Sequence, residues 1–142
     1  MQRYHFKKID AFVGGQSAGN PAGCVYLPEP DALSGDAMQQ IARELGGFVS
    51  EVVYVYTDED FTAPRYFSPE REVAFCGHCT VAVLYDLIKN DPEPETRSSA
   101  FMCRGAPFSC ETRLLPQIPF LSVLPHCSFF QCAFPSMILL LP

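Results

Sequence analysis

The sequence contains no tryptophan, no excess of positive charge and no second Cys-x-x-Cys pair. Each absence excludes something. With 16 acidic against 10 basic side chains and a formal net charge of −6, the chain lacks the basic footprint that nucleic-acid binding requires. Seven cysteines form an odd set without regular spacing, whereas a secreted disulfide framework needs an even one. The opening MQRYHFKK has no apolar core behind it of the kind a signal peptide carries. Free thiols in a reducing cytoplasm are the expectation. At 142 residues and 48% hydrophobic content, there is material for one domain with a real core.

Charge is also missing by region. Residues 1–96 hold 15 acidic and 7 basic side chains, whereas residues 97–142 hold only Arg97, Arg104, Glu111 and Arg113. From Leu114 to Pro142 there is no charge at all. That run is long enough to cross a bilayer. However, Pro116, Pro119, Pro125 and Pro135 each break a helix, and Gln117, His126 and Gln131 add polar cost, which argues against a membrane span. The run has neither a period of 2 nor one of 3.6. The expected organisation is therefore a folded unit over 1–96 and an irregular, proline-rich apolar tail over 97–142. Such a tail reads as non-native, like the product of a shifted reading frame.

The first 96 residues are better ordered in pattern. Tyr4–Val13 and Ala22–Leu27 read as strands, joined by the loop GGQSAGNP. A helix follows, with Asp36 as its expected cap, Gln39 close to a capping box, and Met38, Ile41, Ala42 and Leu45 as its apolar stripe. Gly46-Gly47 stops it. Phe48–Tyr56 is a β-branched and aromatic strand. Its parity puts Glu51 on the same face as Val49, Val53 and Val55. Burial there would raise its pKa and suit it to proton transfer; an exposed edge would leave it merely solvated. Arg65–Ser68 is a short strand, Pro69–Glu72 a turn, and Val81–Ile88 a mostly apolar helix. Cys76, Gly77 and His78 then stand at a helix N-terminus, where free N–H groups can hold an anion.

The tetrapeptide Cys76-Gly77-His78-Cys79 admits three readings. A thiol oxidoreductase places such a motif after a strongly apolar strand, commonly with tryptophan before the first cysteine. Here the polar turn Ser68–Glu72 precedes it and tryptophan is absent. Structural zinc wants four ligands, typically two cysteine pairs, and only one pair is present.

The third reading uses the order of all the pieces. FKKIDAFV, GNPAGCVYL, MQQIARELGGFVSEVVYV and RYFSPEREVAFCGHCTVAVLYDLI succeed one another over residues 4–91. This succession resembles the N-terminal half of the phenazine-biosynthesis-like isomerase family, which shares the diaminopimelate epimerase fold. The family wording is close to F-C-G-H-A-T, so Cys79 stands in place of alanine.

The resemblance implies an α+β fold, a mixed β-sheet wrapped around a central helix, with the irregular tail appended. It implies a cofactor-independent isomerase or epimerase, without metal, acting by proton transfer on a small carboxylate-bearing metabolite. Glu51, after Ser50, would be the acid/base. Gly77 and His78 would orient substrate, although a helix-capping histidine is the plainer role for His78. Asn20 lies where the fold brings a loop to the site, or serves simple turn chemistry. Cys76 falls where related epimerases carry a second acid/base. The second half of the family fold is not visible after residue 91. A weakly active or inactive chain that dimerises or self-associates is therefore expected, and a non-enzymatic half-domain or degraded gene product is the competing class.

Overall fold

The computed structural model describes residues 3–57, 61–90, 100–101, 110–114, 120–125 and 138–140. Five strands run side by side in chain order: β1 (His5–Ala11), β2 (Asn20–Tyr26), β3 (Glu51–Thr57), β4 (Phe61–Phe67) and β5 (Glu72–Val73). A sixth, β6 (Ala100–Phe101), pairs with β4. The sheet is mixed. β2 and β3 are parallel, whereas β1–β2, β3–β4 and β4–β5 are antiparallel. A parallel pair needs a crossover, and helix α1 (Gly35–Glu44) supplies it. Helix α2 (Gly77–Asn90) follows β5.

The alternation of β3 divides the core. Val52 and Tyr54 pack with Met38 and Ala42 of α1. Val53 and Val55 pack with Cys79, Ala82, Val83 and Leu84 of α2. The strand is thus covered on both faces, which is why its apolar run is nearly continuous. Tyr54 places its hydroxyl on the Met38 carbonyl at 2.7 Å, so its ring is buried without stranding a polar atom. The helix expected over Val81–Ile88 is the apolar part of α2, and Val81 to Leu84 are all buried.

The start of α1 differs from the expectation. Ser34, not Asp36, is the cap: its backbone is extended and its side chain accepts from the Ala37 N–H. Asp36 sits within the first turn, where its charge suits the positive end of the helix. Gln39 does not close a capping box. It donates instead to the Ser68 and Pro69 carbonyls, at 2.9 and 3.1 Å. The far end of α2 is tied down by Asp86, which takes Lys7 Nζ at 2.7 Å and the Tyr26 hydroxyl at 2.6 Å. Burial opposes ionisation of Asp86, but these donors outweigh it and hold the carboxyl below its usual range.

Within the region expected to be irregular, the described residues form β6, which joins the main sheet, and three further short strands: β7 (Cys110–Leu114), β8 (Phe120–Pro125) and β9 (Ile138–Leu140). The latter three make a separate antiparallel sheet in that order. Pro116 and Pro119 fall between strands, Pro125 ends one and Pro135 precedes the last. None interrupts the interior of a ladder, which is the placement that sheets tolerate. Residues 102–109, 115–119 and 126–137 lie outside the described residues. No helix among the described residues is long and apolar enough to cross a membrane.

The packing of α2 generates a direct test. Leu84 is 2% exposed in the core, whereas Phe48 is 56% exposed. Leu84→Ala is expected to cost about 2–5 kcal/mol in urea unfolding. Phe48→Ala is expected to stay within about 0.5 kcal/mol of the parent. Equal losses at both positions would mean that α2 does not carry the core.

Candidate active site

Glu51 opens β3, and its position is set by the neighbouring strand. The Ser50 N–H donates to the Pro21 carbonyl at 2.8 Å, and Glu51 pairs in register with Ala22. Val53 and Val55 of the same parity face α2, so Glu51 faces its first turn.

Asn20 is brought to this point by the glycine before it. Gly19 has φ 84°, and a Cβ there would stand 2.7 Å from the Ala11 carbonyl oxygen, so no other residue fits without a shift. Asn20 then starts β2 with its Oδ1 accepting from Ser50 Oγ at 2.6 Å. Sequence reasoning placed Asn20 near the site, and the structure joins it to the residue preceding Glu51.

The first turn of α2 supplies the other side. His78 Nε2 lies 3.2 Å from Glu51 Oε2. The approach is off the N–H line. Oε2 is therefore at ion-pair distance yet buried without a hydrogen-bond partner among the described residues. Cys76 Sγ lies 3.3 Å from His78 Nδ1, and Cys79 Sγ lies 3.5 Å from His78 Nε2. Gly77 is the first residue of α2. A Cβ at Gly77 would meet only Phe75 at an ordinary 3.8 Å, so space does not demand glycine there.

Two residues that sequence reasoning missed hold this turn in shape. Thr80 donates its side chain to the Cys76 carbonyl at 2.8 Å, while its hydroxyl and that of Tyr66 are 2.6 Å apart. Their only signal was a threonine four residues after a helix-start cysteine. A groove of about 320 Å³ lined by Pro64, Arg65, Tyr66, Glu72, Val73 and Ala74 opens elsewhere, along β4 and β5, and contains none of the predicted site residues.

The electrostatics follow from this crowding. The Cys79 thiol beside Cys76 lowers the Cys76 pKa to about 5; burial opposes, and His78 adds to the lowering. A helix N-terminus favours a thiolate in the same way. Cys79 is driven the other way, up, by its hydrogen bond to Cys76 and by burial. His78 is pulled down by burial, but the charges of Cys76 and Glu51 outweigh that and raise it. Glu51 is raised by burial first and by the Cys76 charge second, with His78 pulling against both. The arrangement is a thiol that ionises early and an imidazole that holds its proton longer than usual, beside a carboxyl group that keeps its proton to higher pH than glutamate normally does.

The sequence profile described as phenazine biosynthesis-like protein matches residues 9–105, a span that contains Asn20, Glu51, Cys76, Gly77 and His78. An uncharacterized isomerase of Clostridium acetobutylicum is 37% identical over 86 residues, covering 60% of this chain and 28% of that protein. An uncharacterized isomerase of Escherichia coli (strain K12) is 45% identical over 85 residues, covering 59% of this chain and 26% of that protein. A solved structure of a PhzF-family phenazine biosynthesis protein from Enterococcus faecalis matches with a TM-score of 0.62 at 26% identity, covering 94% of this chain and 52% of that one. The chain thus spans about a quarter of the length of these curated relatives. The profile match extends over more than half the sequence, and the relatives and the fold agree with it: this chain belongs to the phenazine biosynthesis-like protein family, and these curated relatives are named isomerases.

Proposed function

We propose that the site serves a cofactor-independent isomerase or epimerase that moves a proton on a small carboxylate-bearing metabolite, with Glu51 as the acid/base. The observation that carries this reading is Glu51 Oε2, buried and without a hydrogen-bond donor. An acceptor kept dry and unsatisfied has a heightened affinity for a proton. The free N–H groups that open α2, at Gly77 and His78, suit a substrate carboxylate or the negative charge that develops when its α-proton leaves. His78, whose affinity for a proton Cys76 and Glu51 raise, adds to that field when protonated. Cys76 is a second proton carrier within the same turn, and Asn20 fixes the entry to β3 through Ser50. Among the described residues Cys24, Cys76 and Cys79 are free thiols, in keeping with a cytoplasmic setting.

A second reading has one observation behind it. The sulfurs of Cys76 and Cys79 lie within 4.8 Å of each other, and Cys76 is ionised well below the usual thiol range. Thiol–disulfide exchange needs those two features. It leaves the unsatisfied oxygen of Glu51 without a use.

Three measurements separate the readings. In a chain completed with the second half of the family fold, Glu51→Gln is expected to slow α-proton exchange of a small carboxylate in deuterated buffer by about 10²–10⁴-fold. A variant within about threefold of the parent removes Glu51 from the role. Because the base form of Glu51 must be deprotonated and its pKa is raised, the exchange rate should climb with pH through a midpoint above the ordinary glutamate value of about 4.3; a midpoint at or below it means the carboxyl is solvated. In insulin reduction with dithiothreitol the chain is expected to be inert. Turnover abolished by Cys79→Ala would establish the thiol reading instead.

A further inference from the structure

We propose that Glu51, Cys76, His78 and Cys79 form a binding site for a thiophilic divalent cation of the zinc type. The sequence offered one cysteine pair where structural zinc sites typically use two. The fold supplies the missing ligands from elsewhere: His78 from inside the pair and Glu51 from β3. His78 Nε2 is the common point. It lies 3.9 Å from Cys76 Sγ, 3.5 Å from Cys79 Sγ and 3.2 Å from Glu51 Oε2. The donor atoms of Cys76, His78 and Cys79 are all within 4.8 Å of one another. With zinc–sulfur and zinc–nitrogen or –oxygen bonds of about 2.3 and 2.0 Å, neighbouring donors in a tetrahedron stand about 3.3–3.8 Å apart. The donors of Cys76, His78 and Cys79 form the mutually close set, near that size, and Glu51 Oε2, beside Nε2, would reach the fourth position by a side-chain rotation. Nδ1 is closer to Cys76, at 3.3 Å, but Nε2 is the ring nitrogen at contact distance from Cys79 and Glu51, so Nε2 is the donor.

Charge and burial agree with the spacing. Cys76 and His78 are 8% exposed and Cys79 is fully buried, so water competes poorly for the cation. Glu51 Oε2 has no donor to give up. The positive end of α2 opposes a cation by about half a charge, whereas two thiolates and a carboxylate offer three negative charges. On binding, Cys79 and His78 Nε2 each release their proton to solvent, and the freed sulfur and nitrogen become ligands. Soft thiolate ligands select zinc-type ions over magnesium or calcium. Glu51 cannot hold a cation and take a substrate proton together. Mutual exclusion of cation and proton transfer rests on the reading proposed above; the binding itself does not.

The test uses the full chain, reduced and stripped of metal, with Zn²⁺ titrated against a chromophoric chelator and Co²⁺ as a spectroscopic probe. One Zn²⁺ per chain is expected, and bound Co²⁺ should show sulfur-to-metal charge transfer with the intense visible bands of tetrahedral coordination. Loss of an outer partner to a metal ligand costs about 10–100-fold in affinity, so loss of a direct ligand in Cys79→Ala should cost more than about 100-fold. Glu51→Gln should weaken binding while keeping the charge-transfer band. No binding by the parent overturns the proposal. So does a Co²⁺ spectrum without thiolate character, a disulfide that forms while reduced protein binds no metal, or full binding by Cys76→Ala/Cys79→Ala, which would place the ion on other cysteines. Where that variant fails to fold, alkylation of the parent decides the matter: bound Zn²⁺ should protect Cys76 and Cys79, and protection of other cysteines instead overturns the proposal.

Discussion

The site exists because helix α2 covers one face of β3 with its first turn lying over a carboxylate. β3 is paired on both sides, parallel to β2 and antiparallel to β4. It cannot rotate to carry Glu51 away without breaking two ladders. Val53 and Val55, of the same parity, require the cover of Ala82, Val83 and Leu84. Hydrophobic burial further along the strand therefore forces a charged group under the helix end. The opposite end of α2 is pinned through Asp86 to Lys7 and Tyr26, on β1 and β2. A helix held at its far end and along its middle has little freedom to lift its first turn.

Once that geometry is imposed, the charges of the turn are no longer independent. Cys79 and His78 lower the Cys76 pKa against burial; Cys76 and Glu51 raise that of His78 against burial; burial, and then the Cys76 charge, raise that of Glu51. Removing any one member resets the other two. Cys79 has a special place in this set. It stands where the family wording has alanine, and it is fully buried. Alanine would leave a proton-transfer pair and a single thiolate. Cysteine adds a donor to that thiolate and a soft ligand beside Glu51.

Much of this was legible in the sequence, because β3 and α2 each obey one strong period. The alternation of Val49 to Val55 put Glu51 on a buried-type face, and the apolar run from Val81 marked the helix that covers it. The contacts that hold the turn were not legible. Ser34 and Asp36 are both good caps, and only the extended backbone at Ser34 decides between them. Asn20 to Ser50 and Tyr66 to Thr80 are pairs formed across strands and between strand and helix, so nothing in local spacing announces them. The grouping of side chains around His78 has no signature in local spacing, because Glu51 arrives through the sheet. The short strands β7, β8 and β9 escaped notice because they are brief and the prolines fall at or between their ends.

The carboxylate of Glu51 is unevenly treated, and that unevenness bears on what the site can do. The side chain as a whole is 29% exposed, yet Oε2 is buried. The exposure falls on the rest of the side chain, where water can still solvate the negative charge. One oxygen is thus dry and the other part of the group is wet. A dry oxygen raises the proton affinity, and a wet neighbour limits how far it rises, which is why burial, although the leading cause, does not act alone on this group. Proton transfer gains from preorganised dipoles only where water is excluded. The dry side faces α2 and is complete within the described residues. Exclusion of water from the wet side has to come from the bound substrate or from protein placed over it. On the proposed reading, the covering of Glu51's outer side therefore sets how well a proton could be moved there.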